Sequence, residues 1–170
     1  MLKSEKRLKE LAGKLNDKKS ITIISAIKSL RNEDPFAGAI NLLVEVFDKT
    51  DDTEIKSLIR NFMNDMKEPG GRVEIIAEIK KAHKPETIGM LVSSCWQSGL
   101  DYAQYAPEFV KAFLSGNYVI SLECLTVIEE SVNNIPAKKK TELLKHLEDN
   151  EGIAPGEKRL LLKELISILS

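Results

Sequence analysis

The stretch Thr53–Asn64, TEIKSLIRNFMN, places Ile55, Leu58, Ile59 and Phe62 at i, i+3, i+4 and i+7. That spacing lines four apolar side chains along one face of an α-helix. Asp51 and Asp52, just before it, offer oxygens that cap a helix start, and Glu54 complements the helix dipole. The same four slots recur along the chain. They read Ile23-Ala26-Ile27-Leu30 before this stretch. After it come Ile88-Leu91-Val92-Cys95, Ile120-Glu123-Cys124-Val127 and Leu162-Leu165-Ile166-Leu169. The spacings of the first slots are 32, 33, 32 and 42 residues.

A second series runs in step with the first. It reads Leu8-Leu11-Ala12-Leu15, Ile40-Leu43-Val44-Phe47, Val73-Ile76-Ala77-Lys80, Ala106-Phe109-Val110-Phe113 and Lys140-Leu143-Leu144-Leu147. Its spacings are 32, 33, 33 and 34. Of the 40 slots 37 are apolar, against about 17 expected from composition alone. Pro35, Pro69-Gly70-Gly71, Pro85, Gly116-Asn117, Pro136 and Pro155-Gly156 fall between the blocks and read as breaks. Pro85 and Pro136 suit first-turn positions, and EPGGR at 68–72 reads as an interhelical turn. The pattern predicts an all-α chain of about ten helices and no sheet. Helix pairs at this period form α-solenoids, in which each pair buries its apolar stripe on the next.

On this period and helix pattern the chain resembles the HEAT-like repeat family over essentially its whole length. Pro107 matches the family's early proline in the first helix. Ile55-Lys56-Ser57-Leu58-Ile59 is only loosely similar to the Val-Arg-x-x-Ala of its second helix. The tetratricopeptide and ankyrin signatures are absent. The resemblance implies a right-handed superhelix of about five helix pairs in one domain, 1–170, with repeats near 1–33, 34–68, 69–100, 101–134 and 135–170. It also implies that the second helices line a concave face. The last pair departs from the period by the polar insertion EDNEGIAPGE, 148–157, read as a surface insertion or a binding loop.

Positions opposite the core stripe would form that face. They read Ser25, Lys28, Asn32, then Ser57, Arg60, Asn64, then Met90, Ser93, Gln97, then Leu122, Leu125, Glu129. Lys28 and Arg60 suggest a basic ladder for acidic side chains, a carboxylate or phosphate. The fourth second-helix is apolar nearly all round. Such a helix is either covered on a second side by another segment or subunit, or exposes a binding patch. Tyr102 and Tyr105 are candidates for its edge.

Candidates for catalysis are few. SSCWQSG, 93–99, is similar to the nucleophile signature of papain-like cysteine proteases, but Val92 and Gly89 stand where that family has Cys and Gln. The repeat register instead assigns Cys95, Trp96 and Cys124 to the core, where a thiol is inert. His83 is expected to complement a helix C-terminus, and His146 stands near another helix end. Two isolated histidines and two cysteines without ligand spacing point to no metal or cofactor. Few cysteines and no long apolar run suggest a reducing, cytoplasmic setting with no membrane span. The charged N-terminus is not that of a secretory signal.

The net charge of −1 gives no global attraction to nucleic acid. Charge is nonetheless uneven: residues 1–31 carry a net +6 and residues 32–66 a net −5. The expected function is a non-enzymatic scaffold for a protein or peptide partner. The alternatives are a subunit of a larger assembly or homo-oligomer, or a nucleic-acid-binding HEAT-like protein. The last would need a basic groove with exposed aromatic side chains.

Overall fold

The computed structural model describes residues 3–170. Among them are ten α-helices and no strand. The helices are α1 (Lys3–Leu15), α2 (Ser20–Leu30), α3 (Ala39–Lys49), α4 (Thr53–Asn64) and α5 (Pro69–Ile79), then α6 (Pro85–Gln97), α7 (Ala106–Ser115), α8 (Tyr118–Ser131), α9 (Ala137–Asn150) and α10 (Arg159–Leu169). Among the described residues no helix is long and apolar enough to cross a membrane.

Local chemistry sets the helix starts. Asp52 accepts hydrogen bonds from the backbone N–H groups of Glu54 and Ile55 at 3.0 and 3.1 Å. Asn117 caps α8 through the Ile120 N–H at 3.0 Å. Pro85 opens α6 at its first residue, whereas Pro136 lies one residue outside α9. Proline suits either place because no helical N–H is lost there.

The helices form two layers. In one, α2, α4, α6 and α8 pack side by side in chain order, and α10 packs on α8. In the other, α1 packs on α3 and α3 on α5, while α7 packs on α9. Between α5 and α7 this layer opens into a cavity of about 390 Å³. Lys80 and Glu108 bridge it at 3.3 Å.

Between the layers lies one apolar core, with Ile27, Leu43, Val44, Ile59, Met63, Leu91, Val92, Cys95, Phe109, Val110, Cys124 and Ile128 fully enclosed. Two sequence expectations are corrected here. The stretch 68–72 is not a turn, because α5 begins at Pro69. Its inward residues are Ile75, Ile76 and Ile79, while Val73 is 61% exposed and Ala77 and Lys80 face solvent. The α5 stripe is therefore one residue earlier than the apolar pattern indicates. Trp96 is the second correction. It is 38% exposed and donates from Nε1 to Glu123 Oε2 at 2.7 Å. An indole takes an outer position readily when its N–H has an acceptor.

The apolar helix α8 is covered by α6 and α7 and, on a second side, by α10. The insertion before α10 makes this possible. It forms two three-residue 3-10 turns, Glu151–Ile153 and Gly156–Lys158. Lys158 is only 4% exposed. Its Nζ donates to the carbonyls of Phe113, Leu114 and Gly116 at 2.6, 3.0 and 2.9 Å. All three ammonium protons thus satisfy the carbonyl end of α7, and the charge lies 5.5 Å from the Phe113 ring centroid. The insertion is exposed over most of its length, but Ala154 packs against the core and Lys158, just after it, is a buried anchor.

Candidate partner-binding face

The outer side of the α2, α4, α6 and α8 layer carries most of the residues expected to face a partner. Ser25, Lys28, Asn32, Ser57, Arg60, Gln97, Leu122 and Glu129 are exposed, and Asn64 and Ser93 are half-buried. Met90 and Leu125 are corrections: at 4% and 6% exposure they belong to the core. On α6 the outer line passes through Ser93 and Trp96, and on α8 through Leu122 and Glu129. The helices are rotated slightly from the assumed register because α6 and α8 pack closely against each other.

The expected basic ladder is largely neutralised from within. Lys28 lies 4.0 Å from Glu54 of the next helix in the layer. Arg31 pairs with Asp65, and Lys56 with Glu86 at 2.6 Å. Arg60 has its guanidinium carbon 5.7 Å from the Phe47 ring centroid. The amides are linked as well. Asn64 Nδ2 donates to Gln97 Oε1, and Gln97 Nε2 to Ser93 Oγ, each at 2.8 Å. These groups hold neighbouring helices in register and offer a polar, nearly neutral surface.

The far end of the face is different. Tyr118 is 42%, Val119 58% and Leu122 41% exposed, on the first turns of α8. Trp96 lies on the adjoining helix, tied to α8 through Glu123. Leu160, at 78%, is exposed at the start of α10. The Lys158–Gly116 hydrogen bond brings that start beside the start of α8. Sequence reasoning singled out Leu122 but missed the exposure of Trp96, Tyr118 and Val119. A signal was available: Tyr118 and Val119 precede the first core slot, Ile120, by two and one positions, outside the stripe.

The chemical candidates are accounted for by packing. Cys95 and Cys124 are fully buried and free, and burial pushes both thiols well above the ordinary range. Cys95 donates to Leu91 O at 3.3 Å. Tyr102 is not at a groove edge. It is 1% exposed and packs edge-on against Phe109 at 5.9 Å, while Tyr105 is half-buried. His83 is also a correction: rather than facing a helix end, its Nε2 meets Glu78 Oε2 at 2.9 Å and its Nδ1 lies 3.9 Å from Asp48. Glu78, 2% exposed, also accepts from Asn41 Nδ2 at 3.0 Å and Lys81 Nζ at 2.6 Å. Asp48 accepts from Thr87 Oγ1 at 2.6 Å and the Lys84 N–H at 2.9 Å. The cluster ties α3, α5 and α6 together. His146 is exposed on α9. Among the described residues no group of three His, Cys, Asp or Glu is arranged to hold a metal ion.

No protein-family model and no curated protein sequence matches the chain.

Proposed function

We propose that the chain is a HEAT-like, non-enzymatic scaffold, working in the cytoplasm, that binds a protein partner across the outer face of α2, α4, α6 and α8. The observation that carries the reading is the exposed apolar surface of Tyr118, Val119 and Leu122 on α8, with Trp96 on the adjoining helix, in a layer whose other exposed groups, Ile21 at the start of α2 apart, are polar and largely paired. Clustered exposed apolar side chains of this size mark interaction surfaces, and aromatic residues are favoured as anchors there. Ser25, Ser57 and the Asn64–Gln97–Ser93 chain contribute orientation through hydrogen bonds.

The exposure of Trp96 removes one argument against nucleic acid, but the pairing of Lys28, Arg31 and Lys56 with carboxylates supplies another. A duplex or single strand would have to displace those acids before meeting the cations. DNA binding at low salt is therefore expected to be absent.

The test compares partners captured by the purified chain from native lysate with those captured by Leu122→Glu and Arg60→Glu, read by cross-linking and mass spectrometry. Leu122→Glu is expected to lose the partner and Arg60→Glu to weaken it. If neither substitution changes what is captured, the face does not bind. Sedimentation of the same proteins covers the homo-oligomer. Concentration-dependent association that Leu122→Glu abolishes would assign the cluster to a second copy.

A further inference from the structure

The turns joining α2 to α3 and α4 to α5 enclose a cavity of about 530 Å³. It lies at the edge of the stack and shares only the Arg31–Asp65 pair with the partner-binding face, so it stands or falls apart from the reading above. The volume is within the range of about 300–1,000 Å³ typical of ligand sites. Leu30, Phe36, Ile40, Phe62 and Met66 line it. Leu30 and Ile40 are buried, whereas Phe36, Phe62 and Met66 keep part of their surface open. Gly71 gives Met66 its place: a Cβ there would stand 1.8 Å from the Met66 sulfur. The floor is therefore apolar, accessible and shaped around a side chain that adapts to what it touches.

The mouth is acidic. Glu33, Asp65, Glu68 and Glu74 border it, against Arg31 and Lys67. Both cations are committed elsewhere: Arg31 pairs with Asp65, and Lys67 Nζ donates to Ser98 O at 2.5 Å. Glu33 is met by Arg7 at 2.9 Å, and Glu74 accepts from the Gly38 N–H. Glu68 makes no ion pair among the described residues. With Arg7 on Glu33, three cations stand against the four carboxylates, so an anionic ligand would meet no uncommitted cation, whereas a cation would meet an excess of one negative charge, with Glu68 open to it.

We propose that this cavity anchors a basic peptide segment of a partner protein. Large apolar side chains of the segment fill the floor while a flanking Lys or Arg binds Glu68. Peptide recognition through buried anchors and a charged rim is a common mode.

The experiment titrates the full chain into a labelled Lys/Leu/Phe peptide, following anisotropy and the Met66 methyl signal. Ala37→Trp, at an exposed lining position, fills the mouth, and Glu68→Lys reverses its free charge; both positions are exposed, so the fold is kept. Binding is expected to shift the Met66 methyl and to weaken about tenfold with either substitution, equivalent to about 1.4 kcal/mol. Arg60→Glu should leave it unchanged. A Glu/Leu/Phe peptide should not bind. Four results would overturn the proposal: no binding of the basic peptide, equal binding of the acidic one, indifference to both substitutions, or phenethylammonium binding as tightly as the peptide.

Discussion

Lys158 shows what a single buried cation does in this fold. Burial lowers its pKa, yet its three donors meet the carbonyls of Phe113, Leu114 and Gly116 at the end of α7, the first of them shared with Ser121 Oγ at 2.8 Å. Lys158→Met keeps the length and removes the donors. Leaving buried carbonyls unpaired costs about 1–3 kcal/mol each before relaxation, so a loss of about 2–4 kcal/mol is expected in urea unfolding. Glu78 carries a second prediction. Burial raises its pKa, but hydrogen bonds from Lys81, Asn41 and His83 outweigh this, and the net shift is downward from 4.5. The folded state thus binds the proton less readily than the unfolded chain. The stabilisation is present above about pH 4.5 and is lost as pH falls through the lower folded value. Glu78→Gln should flatten the acid limb of a stability–pH profile. Neither side chain was recognisable in advance, because both depend on partners brought together by folding: Phe113 for Lys158, Asn41 for Glu78.

At the scale of an element, most of the helix pattern could be read from the chain, and α5 shows where the reading stopped. Val73-Ile76-Ala77-Lys80 and Arg72-Ile75-Ile76-Ile79 both fit a helical stripe around Ile76. Only the packing of α5 against α3 and α6 selects the second. The two registers predict opposite outcomes. Ile75→Ala is expected to cost about 2–5 kcal/mol, and Val73→Lys to stay within about 0.5 kcal/mol, measured by chemical denaturation. A reversed order would restore the first register. The same ambiguity explains Met90 and Leu125. Met90 lies one turn after the exposed Glu86 and Leu125 one turn after the exposed Leu122, and a rotation caused by close α6–α8 packing moves both inward. Cys95 was legible because it fills the fourth core slot of its stripe, after Ile88, Leu91 and Val92. Its labelling by a thiol reagent is expected only at the rate of unfolding, since the thiol is fully enclosed and hard to ionise.

Across the whole molecule, Lys and Arg ion pairs join distant segments in one direction. Arg7 meets Glu33, Lys28 Glu54, Arg31 Asp65, Lys56 Glu86 and Lys80 Glu108. In each pair the basic residue comes first. This accounts for much of the charge asymmetry between residues 1–31 and 32–66. Each exposed pair contributes about 0–1 kcal/mol. Arg31→Asp and Asp65→Arg should therefore each destabilise slightly in thermal melts, and the exchanged double variant should recover most of the loss. Recovery absent at low salt would mean that the pair sets no register.

That one-way order has a further consequence. A contact whose two sides differ cannot be its own mirror across a two-fold axis, and repeated on itself it grows an open row instead of a closed pair. The direction of the stack is therefore written into each helix pair. A permuted order would still set base against acid where the pairs meet, whereas a pair turned end for end would set like charges against each other while keeping its apolar stripe.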